Sequence, residues 1–172
     1  CNVHMGLHAE RVASKHDVSR EAQDEFALRS HQRAIAAQEA GRFDEEIVAV
    51  TVPGKKGDTV ISADEGPRAD TSAEALAKLK PAFQPDGGTV TAGNAPGITD
   101  GAAALVIGSE DALDEALQPM ARITGYAQAD VAPEWLFEAP IHGVRRLIEK
   151  VGGSVSDFDL IEINEAFAAQ VL

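Results

Sequence analysis

Residues 159–172 read DLIEINEAFAAQVL, and how this stretch is parsed decides what the rest of the chain is. Leu160-Ile161-Glu162-Ile163 is a short apolar run of the kind that forms a buried strand, and Ala166 to Leu172 is a small-residue run suited to the first turns of a helix. Between them stands the pair Asn164-Glu165, with no glycine or proline to make an ordinary turn. A strand feeding a helix is the building unit of a helix-covered sheet, and such sheets hold ligands at the carboxyl ends of their strands. On this pattern alone Asn164 reads first as a helix cap, with a site at the strand end as the alternative.

Outward from that junction, the same alternation extends upstream. IHGVRRLIEKVGG, after Pro140, puts Val144, Leu147, Ile148 and Val151 on one helical face and ends at Gly152-Gly153. MARITGYAQA (120–129) and Ala102 to Ile107 read as strands, with a helix expected from Ser109 and a short strand near Thr89. The first half has a different character. Residues 5–16 and the Ala-rich segment after Ser19 read as helices, the second with Ser19 as N-cap and Gly41 just past its end. Two β-rich runs flank Pro53-Gly54-Lys55-Lys56-Gly57 as a hairpin, and a short helix is expected over Ser72 to Leu79 within a loop-rich excursion. The fold class is α/β.

Composition narrows the function. The 172 residues carry a net charge of −13, which argues against a nucleic-acid or anionic-membrane surface. Residues 54–80 are an exception: five bases (Lys55, Lys56, Arg68, Lys78, Lys80) balance five acids there, so a small anionic ligand could be met locally, although on charge alone a solvated mixed-charge loop is the better reading. No stretch approaches the roughly 20 apolar residues of a membrane span. The start is not that of a signal peptide, and without an initial Met the chain is expected to be cut from a longer one. A single cysteine, Cys1, excludes an intrachain disulfide and points to a reducing, cytoplasmic setting. No metal site is expected, because His4 and His8, at i and i+4, lack the glutamate of a zinc-protease helix.

Six blocks taken together, HMGLHAERVA (4–13), SREAQDEFALRSHQRA (19–34), GRFDEEIVAV (41–50), LKPAF (79–83), GTVTAGNAPGITDGAAAL (88–105) and NEAFAAQ (164–170), resemble the thiolases, the acetyl-CoA C-acetyltransferase group, in order and spacing. The resemblance implies a fragment of the thiolase fold, a loop domain plus parts of two helix-covered mixed sheets. Residues 1–97 match the CoA-binding loop domain, 98–116 the end of the N-terminal half and 117–172 the start of the C-terminal half. It further implies that the nucleophilic cysteine lies upstream of Cys1, and that a Gly-His-Pro histidine and a Cys-x-Gly-Gly-Gly cysteine lie downstream of Leu172.

Carried over residue by residue, the resemblance makes Asn164 the holder of a water that helps stabilise the thioester oxygen as negative charge develops. Glu165 is expected to be a buried structural acid held by the N–H groups of the helix start. Ala166 and Phe167 would line the pantetheine channel. His4 and Met5 match the family's His-Met-Gly block near pantetheine and the acyl pocket. Arg68 aligns with an arginine beside the adenine nucleotide, Phe83 with a residue packed near adenine and pantetheine, and Ala92 borders the channel. Each has an ordinary alternative: Met5, Phe83 and Phe167 as core, Arg68 as an exposed loop arginine.

Two stretches depart from the family. Pro96 stands where many thiolases have a serine whose hydroxyl holds pantetheine, and proline offers neither a hydroxyl nor an N–H. Trp135-Leu136-Phe137 puts bulk where the family has a glycine-rich turn. NEAF itself points to ordinary thiolases over the lipid-transfer type, which carries His-Asp-Cys-Phe. The implied activity is thiolytic cleavage of a 3-ketoacyl-CoA or the reverse condensation of acetyl-CoA, by a homodimer or homotetramer that needs no cofactor beyond its CoA thioesters. Two other readings stand beside it: a non-catalytic CoA-binding or assembly module, and an N-terminal-nucleophile hydrolase using Cys1.

Overall fold

The computed structural model describes residues 3–113 and 118–172. Cys1 and the boundary at residues 116 and 117 lie outside the described residues, as does most of the helix expected from Ser109. Of that helix, a 3₁₀ turn at Glu110–Ala112 is described. The chain divides into two compact units, at Gly97/Ile98 and again at Asn164/Glu165.

The first unit runs to Gly97 and takes up the chain again at Glu165. Helix α1 spans Met5–Lys15 and α2 spans Arg20–Glu39. The Ser19 hydroxyl caps α2 by accepting from the Ala22 N–H at 3.1 Å, and Gly41 takes the left-handed conformation (φ +66°) that turns the chain out of the helix. Strands β1 (Val50–Val52) and β2 (Thr59–Ile61) form the expected antiparallel hairpin, in register Val50↔Ile61 and Val52↔Thr59. Helix α3 (Ala73–Ala77) starts at Ser72, whose hydroxyl accepts from Ala75 N–H at 3.1 Å. Helix α5 (Ala168–Val171) packs against α1 and α2. The contact is built from small residues: Ala9, Ala13, Ala27, Ala168 and Ala169 are buried, which lets the helix backbones approach closely. Leu76 and Val90 close this core, and burying each such side chain contributes about 1.5–3 kcal/mol.

The second unit spans Ile98–Asn164 and contains α4 (Ala139–Val151), entered through a 3₁₀ turn at Pro133–Glu138. The bulky Trp135-Leu136-Phe137 segment forms that turn, and Phe137 is buried. Gly152 (φ +82°) ends α4, its N–H donating to Ile148 O at 2.8 Å. Leu147 and Val151 lie over Gly125, leaving no room for a Cβ there. Arg146 donates to Gln128 O at 2.7 Å, and the Lys150 ammonium donates to Tyr126 O at 3.1 Å while sitting 4.1 Å above the Tyr126 ring centre.

The strands expected at Ala102–Ile107, 120–129 and Leu160–Ile163 run without a ladder among the described residues, and the one near Thr89 is reduced to a single bridge, Pro81↔Thr91. A strand is fixed by a neighbour that exchanges backbone hydrogen bonds with it. These segments have no such neighbour here, and Leu105 (88%), Val106 (105%) and Leu160 (86%) are left exposed. The helix expected from Ala166 begins two residues later, with Ala166 and Phe167 leading into it.

Candidate functional site

Three rings named from the sequence lie together in the first unit. His4 is the N-cap of α1, its Nδ1 accepting from the Gly6 N–H at 3.1 Å. That bond fixes the imidazole, and the ring stacks on Phe83 with centroids 4.6 Å apart and planes 25° apart. Phe83 in turn meets Phe167 edge-on at 6.2 Å and 79°, both geometries that aromatic quadrupoles favour. Phe167 is buried at the start of α5, whereas His4 and Met5 are exposed on the first turn of α1. Phe83 is held from its own strand side by Ala82, whose N–H donates to Val90 O at 2.9 Å. The Phe83 ring lies directly over Gly6, where any Cβ would overlap it. Gly6→Ala is therefore expected to push Phe83 off the stack and cost about 1–3 kcal/mol, as overpacking does. A thermal melt checks this, and a variant as stable as the parent would show that the ring is free to move.

A second group surrounds the turn 91–97. An open groove of about 290 Å³ is lined by Ser30, His31, Pro67, Asn94, Pro96 and Glu165 among others. Glu165 differs from expectation. It is exposed, and its carboxylate accepts from the Ser30 hydroxyl at 2.7 Å, so an α2 side chain holds it in place of helix N–H groups. α5 starts too late in the chain to offer its N–H groups to Glu165. Pro96 and Ala92 are both exposed, Pro96 on the groove and Ala92 on the same turn. Ala166 is half-buried.

Arg68 follows Pro67 and donates its backbone N–H to His31 Nδ1 at 3.1 Å. Its guanidinium is exposed and pairs with Asp70 at 3.2 and 3.3 Å. The hydrogen bond from Arg68, then its charge, hold the Asp70 carboxyl below the usual range. An exposed pair of this kind contributes little to stability, so the guanidinium is available to exchange Asp70 for an anionic ligand.

Asn164 belongs to the second unit and is exposed. It does not cap α5, whose N-cap position is Phe167.

Sequence reasoning missed the polar groups that fix these loops. Glu10 lies on the buried face of α1 with 6% exposure. Its carboxylate accepts from Thr89 N–H at 2.9 Å, Val90 N–H at 2.9 Å and the Thr89 hydroxyl at 3.1 Å. Asp24 and Asn94 are likewise buried, and Gln23 reaches across from α2 to donate to Thr89 Oγ1 at 2.9 Å. The available signal was an acid sitting inside the apolar face of a helix, between Ala9 and Val12, where a charge is stable only if it is fully hydrogen-bonded.

Comparison with known proteins bears on these residues. The family model for "Thiolase, N-terminal domain" matches residues 1–111, and that for "Thiolase, C-terminal domain" matches residues 117–172. The chain is 53% identical to an acetyl-CoA acetyltransferase of Chromobacterium violaceum, over 98% of this chain and 43% of that protein. It is 54% identical to a beta-ketoadipyl-CoA thiolase of Pseudomonas aeruginosa, over 95% of this chain and 41% of that protein. The crystal structure of the Bacillus anthracis acetyl-CoA acetyltransferase superposes with a TM-score of 0.90 at 50% identity, covering 98% of this chain and 43% of that one. The chain thus spans less than half the length of the relatives it matches.

Proposed function

The chain belongs to the thiolase family and carries part of its α/β fold, and from that premise we propose that the complete protein is a thiolase-type acyltransferase acting on CoA thioesters. The observation that carries this reading is the stack of His4, Phe83 and Phe167, three residues that the sequence resemblance assigns to the pantetheine arm. His4 stacked on Phe83, with the buried Phe167 edge-on to it, gives a largely apolar lining, the kind that suits a slender, mostly uncharged chain such as pantetheine. The same reading gives Met5, Ala92 and Ala166 to the arm, and has Pro96 border it by contact alone because proline has no donor to offer. Arg68 takes the adenine nucleotide end, stacking on the base or meeting a phosphate.

In the reaction, a cysteine thiolate attacks the keto carbon of a 3-ketoacyl-CoA, the bond to the adjacent carbon breaks, and acetyl-CoA leaves after protonation of that carbon. A second CoA thiol then takes the acyl group from the cysteine. The only cysteine in these 172 residues is Cys1, and the resemblance assigns the nucleophile to a residue upstream of it. What the present residues supply is the CoA-binding surface and Asn164, whose side chain positions a donor for the thioester oxygen as it becomes negative. No metal or redox group enters the scheme. A homodimer or homotetramer in the cytoplasm, serving fatty-acid β-oxidation or its reverse, is part of the same proposal. What supports its metabolic part is the activity of the relatives, an acetyl-CoA acetyltransferase and a beta-ketoadipyl-CoA thiolase.

Initial rates of the complete protein with 3-ketoacyl-CoA and CoA both varied should give parallel double-reciprocal lines, the pattern of a covalent acyl intermediate, and should be unchanged by EDTA. Intersecting lines, or full loss of rate on chelation, would overturn this scheme.

A further inference from the structure

The turns that carry the proposed CoA contacts are tied together by one buried pair, Asp24 and Asn94. Asn94, 4% exposed, uses every side-chain polar group it has. Its Oδ1 accepts from Thr91 N–H at 2.8 Å, and its Nδ2 donates to Thr89 O at 3.1 Å and to Asp24 Oδ1 at 2.9 Å. Its backbone carbonyl accepts from Ala168 N–H at 3.1 Å. One residue therefore shapes the turn bearing Ala92 and Pro96, and anchors the first residue of α5, next to Phe167.

Asp24 extends the connection. Its second oxygen accepts from Arg20 Nε at 2.7 Å, and Arg20 Nη2 donates to the carbonyls of Leu76 at 2.7 Å and Leu79 at 3.0 Å. Leu76 lies near the end of α3 and Leu79 two residues past it, five and two residues before Pro81, and Pro81 pairs with Thr91 ahead of Phe83. Asp24 and Asn94 thus sit between the two segments that present Phe83 on one side and Ala92, Pro96 and Phe167 on the other.

We propose that Asp24 and Asn94 are positioning residues for CoA. The carboxylate-to-amide bond between them sets the spacing of the pantetheine-lining segments, so its loss weakens CoA binding before it slows the chemistry. This rests on the thiolase reading. A buried charge needs its full set of partners, and a buried network with one wrong member is worse than none. Asn94→Asp sets a second carboxylate against Asp24 and against Thr89 O. Asp24→Asn forces an amide N–H₂ to face either Arg20 or the Asn94 amide. The exchanged pair, Asp24→Asn with Asn94→Asp, restores one donor and one acceptor across the gap and leaves an oxygen for Arg20 and another for Thr91 N–H, while Thr89 O stays without its donor.

The test is steady-state kinetics of the complete protein, with CoA and 3-ketoacyl-CoA varied, for the parent, both single variants and the exchanged pair. Each single variant should raise KM for CoA about tenfold or more with kcat changed far less, the signature of lost binding shared by ground and transition states. The exchanged pair should recover the part of that KM that comes from the Asp24–Asn94 contact, so that its KM falls below that of Asn94→Asp alone. If Asn94→Asp does not accumulate as folded protein, Asp24→Asn, which keeps shape and an acceptor, carries the comparison. Parental KM in the folded single variants, or an exchanged pair that regains thermal stability without regaining KM, would overturn the positioning role. A parent protein with no CoA-dependent turnover would instead overturn the thiolase reading on which it rests.

Discussion

Asn164→Ala in the complete protein lowers kcat by roughly 10²-fold or more and leaves the fold and KM nearly as they were, the cost of removing one preorganised donor from a developing oxyanion. The side chain is exposed in its own unit, so truncating it removes no core contact. The rival expectation, that Asn164 is a helix cap worth about 1 kcal/mol of stability, meets an obstacle in the structure, because α5 begins at Ala168 with Phe167 in the cap position. A thermal midpoint and a kcat measured on the same variant separate the two. A parental kcat would remove Asn164 from the chemistry.

The second large effect is structural. Glu10→Ala is expected to destabilise the protein by about 3–5 kcal/mol, the range found when one partner of a buried charged network is deleted. Three donors converge on this carboxylate from Thr89 and Val90, and alanine would leave the buried Val90 N–H and the half-buried Thr89 donors without this acceptor. Glu10→Gln keeps one oxygen and should fall well short of that loss. Urea unfolding of both variants checks the order. A Glu10→Ala protein within about 1 kcal/mol of the parent would mean that water replaces the carboxylate.

Much of the first unit was legible because its signals are local. Ser19, Gly41 and Ser72 mark helix ends through bonds to the adjacent backbone, and the Pro53–Gly57 hairpin is set by its own turn. The strands of Ala102–Ile107 and Leu160–Ile163 depend on something the pattern does not contain. Alternation and apolarity show which residues need cover, while the ladder comes from a partner strand, and a chain spanning 43% of its relatives holds no such partner among the described residues. The site was legible in part. His4, Phe83 and Phe167 were named from three separated blocks, and they stack. Glu165 was assigned to helix N–H groups by proximity in sequence, and it bonds Ser30, 135 positions away. The long-range bonds of Asp24, Asn94 and Glu10 escaped notice for the same reason: Asn94 meets Asp24 across 70 positions and Glu10 meets Val90 across 80, and the local pattern does not name a partner so far away.

The most direct measurement is a product balance. The complete protein is incubated with acetoacetyl-CoA, or with a longer 3-ketoacyl-CoA, with and without free CoA, and the thioesters are counted. The account predicts that acetoacetyl-CoA turns over only when CoA is present, with no more than one molecule per active site consumed without it, and that each molecule turned over yields two of acetyl-CoA. Release of a free 3-keto acid with no new thioester, or no consumption of any 3-ketoacyl-CoA, would contradict it.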